Sequence, residues 1–397
     1  MLKYWIWLAT RKGLGAYGIC QTARHFGTAE AAYLASETEY DQVEGLKQKT
    51  SLLDKDLTEA EQILVRCYNL GISILTMQDA AYSQRLLACN DAPVVLYYKG
   101  TLPDFQEPAI AVVGTRKASA YGLRQAGRLG FELSRSGCMV VTGGAKGIDT
   151  EALKGAMTGG SPVTVVLGCG VDVVYPAQNK ALFEDVIWHG CLISEYPPGT
   201  PPLSGNFPVR NRILSGLSLG VLVAEAPERS GALITARRAL EQGRDVFTLP
   251  ANVGVDSCAG NLRLLREGAI PVGEAGDILQ EYAALYPEKL QKCAPVRQIP
   301  TQQMEKPESN PAEESQKDID KPVSRAYIDV KDVMDTVSEE ERRLLELLQT
   351  GPVHIDVLAE QSHLGTSRAL ASLTLLEVKG MVQRPSPRLY ELRLAGK

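Results

Sequence analysis

The sequence is poor in the residues that build metal sites and disulfide frameworks. It has only four histidines in 397 residues, and its eight cysteines are scattered without a C-x-x-C pair. Zinc sites draw on Cys and His at close spacing, so we expect no metal and no other cofactor. Scattered cysteines within apolar runs are typical of buried thiols in a reducing compartment, which excludes a small disulfide-stapled protein.

Long apolar runs and an N-terminal targeting signal are also missing. A membrane-spanning helix needs about 18 uninterrupted apolar residues, and no window approaches that length. The short apolar run near the N-terminus is interrupted by Lys3 and followed by Arg11 and Lys12, which is not the charge order of a signal peptide. The sequence therefore predicts a cytoplasmic protein that has no membrane partner.

The chain has no excess of positive charge. Lys and Arg together number 42 against 47 for Asp and Glu, which gives a net charge of -5. This balance excludes a protein that coats nucleic acid by bulk attraction, so any DNA-binding surface must be a local cluster of cations. With 44% hydrophobic and 22% charged residues, most of the chain should fold around real cores. The length suggests two to three domains.

Six short apolar runs alternate with helical stretches between residues 106 and 286. The runs are AIAVVG (109–114), CMVVTGG (138–144), PVTVVLG (162–168), CLISEY (191–196), GVLVAEA (220–226) and DVFTLP (245–250). Each is typical of a strand buried on both faces, and helical crossovers would join the strands into a parallel sheet. The pattern predicts a doubly wound α/β domain with a parallel sheet, and a further strand at 96–100. Ligands bind such sheets beyond the carboxyl ends of the strands.

The sequence on either side of this predicted sheet indicates three further regions of the chain. Residues 1–75 have a helical pattern with a Gly-x-Gly turn, which fits either a SAM-like or helix-hairpin-helix-like element that can hold a phosphate, or an ordinary helical bundle. The α/β domain then covers 76–286. Residues 287–337 are rich in Pro, Glu, Lys, Gln and Ser, which predicts a disordered linker. Residues 338–397 show three helices followed by a hairpin, the order of a winged-helix-like domain.

The predicted C-terminal domain carries few cations. It begins with a capping box, in which Ser338 is followed three residues later by Glu341. Its third helix has only Arg368 and Lys379, together with Glu377. Two interpretations therefore stay open: a module for protein contacts or weak DNA contacts, and a reader of DNA sequence.

Three loops that follow predicted strands combine small residues with cations: GTRKASAYG (114–122), GGAKGID (143–149) and FPVRNRILSG (207–216). The first two fit neither the dinucleotide motif G-x-G-x-x-G nor the Walker A motif, which disfavours nucleotide hydrolysis. Amides at helix N-termini and nearby cations hold phosphates, and an aromatic beside Arg and Asn can stack a base. The candidate DNA-binding residues are Gly114, Thr115, Arg116, Lys146, Phe207, Arg210, Asn211 and Arg212.

A structural role is the alternative for several residues in and near these loops. Arg210 and Arg212 could pair with Glu195 or Glu225 and merely tie helices to the sheet. Asp149 could cap the helix that follows GGAKGID. The same choice applies to a further segment, EAPERSGALITARRAL (225–240), whose polar residues would either complete the pocket or cap a helix. These residues are Ser230, Gly231 and Thr235.

The order and spacing of several motifs resemble those of the DNA processing protein A family, also called DprA or Smf. The motifs are VVGTRKASAYG, GGAKGIDTEAL, VVLGCGVDVVYPAQN, ISEYPPGTPP, FPVRNRILSGLS, VAEAPERSGALITARRAL and AGNLRLLREGA. The resemblance covers about 75–285, and the flanking modules are similar to the family's three-part architecture. It implies that the α/β domain is an extended Rossmann-like domain, which binds single-stranded DNA in a basic pocket and forms a homodimer through an apolar surface near 245–285. It also implies that the protein helps to load the RecA recombinase during natural transformation. Carried over by motif position, the pocket comprises the eight candidate residues.

The sequence departs from the usual family pattern at three positions. Leu153 stands where the family usually has histidine, Ala251 replaces the glycine of a proline-glycine step, and Leu262 stands where asparagine is common. We interpret these departures as changes at the rim of the pocket. They leave the three cationic loops intact.

Three functions follow from these observations, and the first is favoured. It is a non-enzymatic binder of single-stranded DNA and a recombination mediator. If Arg116, Lys146, Arg210 and Arg212 neutralise four phosphates, the logarithm of the binding constant should fall with the logarithm of salt concentration with a slope of about -3. The second is a nucleotide-processing hydrolase similar to the cytokinin-activating phosphoribohydrolases. Their P-G-G-x-G-T-x-x-E loop is absent, and only a few carboxylates could serve as a general base. The third is a transcription factor led by the winged helix.

Overall fold

The computed structural model describes residues 1–46, 48–290, 338–348, 353–379, 381–386 and 389–392. These residues belong to two compact units, one ending in the described part at Leu290 and the other beginning at Ser338. Most of the predicted linker, 291–337, lies outside the described residues. Its first four residues form a short helix in which Leu290 is buried, so the folded unit continues past the expected boundary at 286.

A nine-stranded sheet forms the centre of the first unit. Its strands are β1 (Ser73–Thr76), β2 (Val95–Gly100), β3 (Ala109–Val113), β4 (Met139–Thr142), β5 (Val163–Leu167), β6 (Gly190–Ser194), β7 (Gly220–Val223), β8 (Asp245–Thr248) and β9 (Ile270–Pro271). The order across the sheet is β1-β2-β6-β5-β4-β3-β7-β8-β9. Pairing is parallel from β6 to β9, whereas β2 runs antiparallel to β1 and β6. The six predicted runs and the further strand are confirmed, and the doubly wound α/β fold with them.

The strand order reverses at β3, whose two neighbours are β4 and β7. At such a reversal the connections leave the sheet toward opposite faces, and a crevice opens beyond the carboxyl ends of the strands. Two of the predicted cationic loops follow β3 and β4. The topology therefore brings them to the place where doubly wound sheets bind ligands.

Helices cover both faces of this sheet. Alternate residues of β3 belong to two separate cores, Ile110 and Val112 to one and Ala111 and Val113 to the other. The helices are α1 (Leu2–Ala9), α2 (Gly15–Phe26), α3 (Ala29–Leu34), α4 (Glu37–Tyr40), α5 (Thr50–Leu53), α6 (Thr58–Asn69), α7 (Gln84–Leu87), α8 (Ala120–Arg135), α9 (Ile148–Gly159), α10 (Lys180–His189), α11 (Asn206–Leu217), α12 (Gly231–Glu241), α13 (Ala259–Arg266), α14 (Ala275–Leu279) and α15 (Pro287–Leu290). Short 3-10 turns lie at Ala177–Asn179, Asp256–Cys258 and Gln280–Tyr282.

The N-terminal helices α1 to α6 share a core with one face of the sheet. Trp5 and Trp7 belong to the same buried cluster as Val163 and Val165 of β5. The expected boundary between residues 75 and 76 falls inside β1, because this strand pairs with β2 and extends the sheet. The predicted Gly-x-Gly turn is present between α1 and α2, where both of its glycines have positive φ.

The described residues of the second unit form three helices and a three-stranded sheet. Its elements are α16 (Glu339–Leu347), β10 (Val353–His354), α17 (Ile355–Gln361), α18 (Thr366–Val378), β11 (Val382–Ser386) and β12 (Leu389–Leu392), with the strand order β10-β12-β11. Lys379, which follows the third helix, donates to the buried Glu341 carboxylate at 2.7 Å. Arg384 pairs with Glu377 at 3.0 Å. Lys379, one of the two cations predicted for the third helix, is thus held by a partner within the domain, whereas Arg368 is exposed.

Helix length and side-chain clusters bear on the membrane and metal predictions. No helix among the described residues is both long and apolar enough to cross a membrane. The same residues contain no group of three or more His, Cys, Asp or Glu side chains that could hold a metal ion. Six of the seven described cysteines are buried, as their apolar sequence context predicts.

Candidate nucleic-acid interface

Two adjoining clefts open near the carboxyl ends of β3, β4 and β7, with volumes of about 370 and 270 Å³. Arg116, Ala145, Phe207 and Arg210 line both of them. The larger cleft continues to the loop after β7 and the start of α12, whereas the smaller cleft continues to Lys146 and an aromatic side chain of the loop after β5. The predicted loops therefore meet in one place.

The loop after β3 is fixed by Glu225, which is buried. The Thr115 N–H donates to the Glu225 carbonyl at 2.7 Å, and the Glu225 carboxylate accepts from the Ser119 N–H at 3.0 Å and the Ser119 hydroxyl at 2.9 Å. Glu225 was considered as a partner of Arg210 or Arg212, but its carboxylate accepts hydrogen bonds from Ser119 of this loop. Arg116 and Lys117 stay exposed and can meet a ligand.

The loop after β4 folds around the buried carboxylate of Asp149. This carboxylate accepts from the N–H groups of Gly143 at 3.1 Å and Ala145 at 3.3 Å, and so holds the loop instead of capping α9, whose N-cap is Gly147. Burial raises the pKa of Asp149 to about 6, although Arg210 and the two amides act in the opposite direction. The loop is therefore rigid at its base.

The same two loops are in backbone contact. Gly147 has φ of 80°, and a Cβ there would come within 2.5 Å of the Thr115 carbonyl oxygen. Only glycine fits both this backbone conformation and this approach. Lys146, the residue before it, is exposed and lines the smaller cleft.

Phe207 lies in the first turn of α11 and is half-buried on the wall shared by the clefts. Its ring centre is 5.5 Å from that of Tyr175, and the guanidinium groups of Arg116 and Arg210 lie 5.7 and 6.0 Å from it. Aromatic rings beside cations can stack a base while the cations hold its phosphates. Tyr175 was not among the candidate residues, although an aromatic followed by proline after a predicted strand was an available signal.

Arg210 is one turn further along α11 and is only 5% exposed. Its guanidinium donates to the Val166 carbonyl, and a Cβ at Gly143 would come within 2.4 Å of its Nη1. Burial lowers the pKa of Arg210 to about 10, so the side chain remains charged at neutral pH. Arg210 is thus a fixed positive charge in the cleft wall.

Comparisons with known proteins agree with this architecture. A family model described as DNA recombination-mediator protein A matches residues 73–283, more than half of the chain, and one described as the DprA winged helix domain matches 333–386. The chain belongs to the DNA processing protein A family. Protein Smf from Synechocystis sp. is 33% identical over 405 residues, which cover 98% of each chain.

Members of this family from a second organism are similar in sequence and in structure. DNA processing protein DprA from Streptococcus pneumoniae is 43% identical over 204 residues, which cover 51% of this chain and 72% of that protein. The X-ray structure of DprA from the same organism matches with a TM-score of 0.63 at 33% identity. The match covers 71% of this chain and 98% of that one. The family resemblance stated from the motifs is confirmed.

Arg212 is where the site prediction and the structure differ most. It lines neither cleft and is 3% exposed, with Nη2 2.5 Å from Glu195 Oε1 and Nε 3.5 Å from Asp91. Burial alone would lower the pKa of Arg212, but Glu195 and Asp91 hold it above its usual value. Residues two positions apart on a helix point about 160° away from each other, so Arg210 and Arg212 cannot both face the clefts. Arg212 thus makes the ion pair with Glu195 that its structural alternative expects, and it does not reach the clefts in which DNA contact was expected.

Of the remaining residues named from the sequence, some line the clefts and others lie away from them. Gly114, Thr115 and Asn211 line the larger cleft. Leu153, expected at the pocket rim, is fully buried in the core, so this departure from the family pattern lies behind the site. Ala251 and Leu262 are half-buried, and neither lines a cleft.

The segment before α12 both caps this helix and lines the larger cleft. Ser230 caps α12 by accepting from the Ala232 N–H at 3.3 Å. Ser230, Gly231 and Thr235 also line the larger cleft, together with the exposed Arg229. Arg229 was not among the candidate residues, because nothing in the local pattern distinguishes it from other surface arginines.

A groove of about 570 Å³ lies elsewhere, beside α6. Its one cation, Arg66, pairs with Asp172 at 3.3 Å. Because this charge is already paired, the groove is a poorer anion site than the clefts.

Proposed function

We propose that this protein binds single-stranded DNA in the two clefts and acts as a recombination mediator that loads RecA, as in natural transformation. The observation that carries the proposal is the half-buried Phe207 ring beside the exposed Tyr175 ring, flanked by the exposed Arg116 and Lys146. A base can reach these rings only if it is unstacked and unpaired, which favours a single strand over a duplex.

Each lining residue has a distinct part in this proposal. Arg116, Lys117 and Lys146 neutralise phosphates, because they are exposed and can exchange water for an anion. Phe207 stacks a base, with Arg210 as a fixed charge behind it. Gly114, Thr115 and Asn211 shape the larger cleft. Arg212 supports α11 from the other side.

The site supports binding rather than catalysis. The carboxylates considered as general bases are engaged, Asp149 by two amides, Glu195 by Arg212, and Glu225 by Ser119. No histidine is among the residues that line the clefts. A hydrolase should release base from nucleoside monophosphates, whereas we expect no release and no cofactor requirement.

The partners proposed beyond DNA are RecA and a second copy of the chain, in the cytoplasm. The family resemblance supports both partners. The region 245–285, expected to hold the dimer surface, has the exposed apolar side chains Val253, Val255 and Leu285. Sedimentation of the protein should give twice the mass of one chain, and a Leu285→Glu variant should sediment as one chain if this region is the interface.

The central test reverses one exposed charge. Lys146→Glu should abolish binding to a poly-dT oligomer in a gel shift, since it places an anion where a phosphate binds. The circular-dichroism melt should not change, because Lys146 is exposed. The loading of RecA onto single-stranded DNA should be lost as well.

The matched control is Lys154→Glu on the following helix, where the exposed Lys154 pairs with Glu151 at 2.7 Å. This variant should bind the oligomer as the unchanged protein does. Unchanged affinity of the Lys146 variant, or equal loss in both variants, would overturn the assignment of the site.

A further inference from the structure

The N-terminus of α12 opens into the larger cleft. This helix runs for eleven residues, Gly231–Glu241, and Ser230 and Gly231 at its start line the cleft. The N–H groups in the first turn of a helix have no partners within the helix and carry a partial positive charge. A Cβ placed on Gly231 would meet no atom within 4 Å, so a ligand can approach the backbone there.

A buried cation in the same cleft gives independent support for an anion site. Arg210 is more than nine-tenths buried, and its Nε has no hydrogen-bond partner within the described residues. A buried polar atom without a hydrogen-bond partner is costly. Asp149 already favours the charged form of Arg210, and a bound anion would lower the remaining cost of this buried charge. Two exposed cations, Lys117 and Arg229, also line the larger cleft.

The two clefts differ in chemistry. The smaller cleft has two aromatic rings, Tyr175 and Phe207. The larger cleft has only Phe207, on the shared wall, and otherwise combines a helix N-terminus with cations. Rings suit a base, whereas amides and cations suit a phosphate.

We propose that the larger cleft is a second subsite, which binds a phosphate of the DNA strand at the N-terminus of α12. Arg229 and Lys117 neutralise this phosphate, while a neighbouring nucleotide stacks its base in the smaller cleft. This inference rests on the proposed binding of single-stranded DNA. It assigns to the segment before α12 a ligand contact in addition to its capping role.

The test compares two arginines near opposite ends of α12. Arg229→Ala should make the logarithmic salt slope for a dT oligomer less steep by about 0.7, the value for one lost phosphate contact in a single strand. Arg238→Ala is the control, because Arg238 lies in the last turn and pairs with Glu241 at 2.8 Å. It should leave the slope unchanged. Fluorescence anisotropy over a series of salt concentrations measures both slopes.

A chemical change in the DNA locates the contact. Oligomers with a single uncharged methylphosphonate should bind the unchanged protein more weakly when the neutral linkage occupies the α12 subsite. The same linkage should cause no further loss in Arg229→Ala, because the contact is already gone.

The outcomes separate the two proposals. If Lys146→Glu loses binding but Arg229→Ala matches the Arg238 control, the second subsite is refuted and single-strand binding stands. A neutral linkage that weakens both proteins equally refutes it too. If neither Lys146→Glu nor Arg229→Ala changes binding, both proposals fail.

Discussion

Two sets of cations around the same clefts have opposite environments. Arg116 and Lys146 sit on loops after β3 and β4 and are exposed, whereas Arg210 and Arg212 sit on α11 and are 5% and 3% exposed. The exposed pair can exchange water for a phosphate at little cost. The buried pair has already lost its water to protein carbonyls and carboxylates. Burial thus separates the cations that we propose as DNA ligands, Arg116 and Lys146, from the two that protein groups hold.

The largest expected effect tests the support role. Arg212→Met should lower the free energy of unfolding by about 3 kcal/mol, because it leaves the partly buried Glu195 and Asp91 without their cation. The affinity of the folded protein for a dT oligomer should stay unchanged. Urea unfolding and anisotropy measure the two quantities. Normal stability with weakened binding would show that Arg212 belongs with the exposed cations.

A smaller effect is expected from the ring on the shared wall. Phe207→Ala should weaken single-strand binding by about 1 to 3 kcal/mol, the loss of one base stack. Trp188→Ala is the control, since Trp188 is 87% exposed on α10 and lines neither cleft. Equal affinities for these two variants would mean that the cations bind DNA without a stacked base.

The smallest effect concerns the acid beneath the clefts. The pKa of Asp149 is raised to about 6, from an ordinary value near 4, so the folded state holds the proton more tightly than the unfolded state. Its contribution to stability should therefore fall as pH rises from about 4 to 6 and then level off.

The variant Asp149→Asn removes this titration. Between pH 5 and 7 the stability of the unchanged protein should fall relative to the variant by roughly 1 kcal/mol, as urea unfolding at each pH would show. A constant difference would mean that Asp149 is ionised throughout, with Arg210 compensating for its burial.

Much of the fold could be predicted from the chain. The six apolar runs are long and β-branched, and each became a strand. The edge strands β1 and β9 were missed because four or two residues make too weak a pattern. The boundary at 75 was misplaced for a related reason, since pairing with β2, not local composition, makes β1 part of the sheet.

The candidate site was predicted in part. The loops with Arg116 and Lys146 were found because glycine and cations at strand ends are a local pattern. The partners of Arg212 are far from it in sequence, Asp91 most of all, so no local pattern revealed that pair. Tyr175 and Arg229 reach the clefts from other loops, and only the folded chain brings them there.

The sequence by itself determined the order of strands and helices, the loops that carry charge and the family to which the chain belongs, because these depend on residues close together along the chain. Tertiary structure decided which arginine meets solvent and which meets a carboxylate. It also placed the start of α12 beside the loop after β3. The reason is physical: burial and pairing join residues distant in sequence, and they determine whether a charge is free to bind DNA.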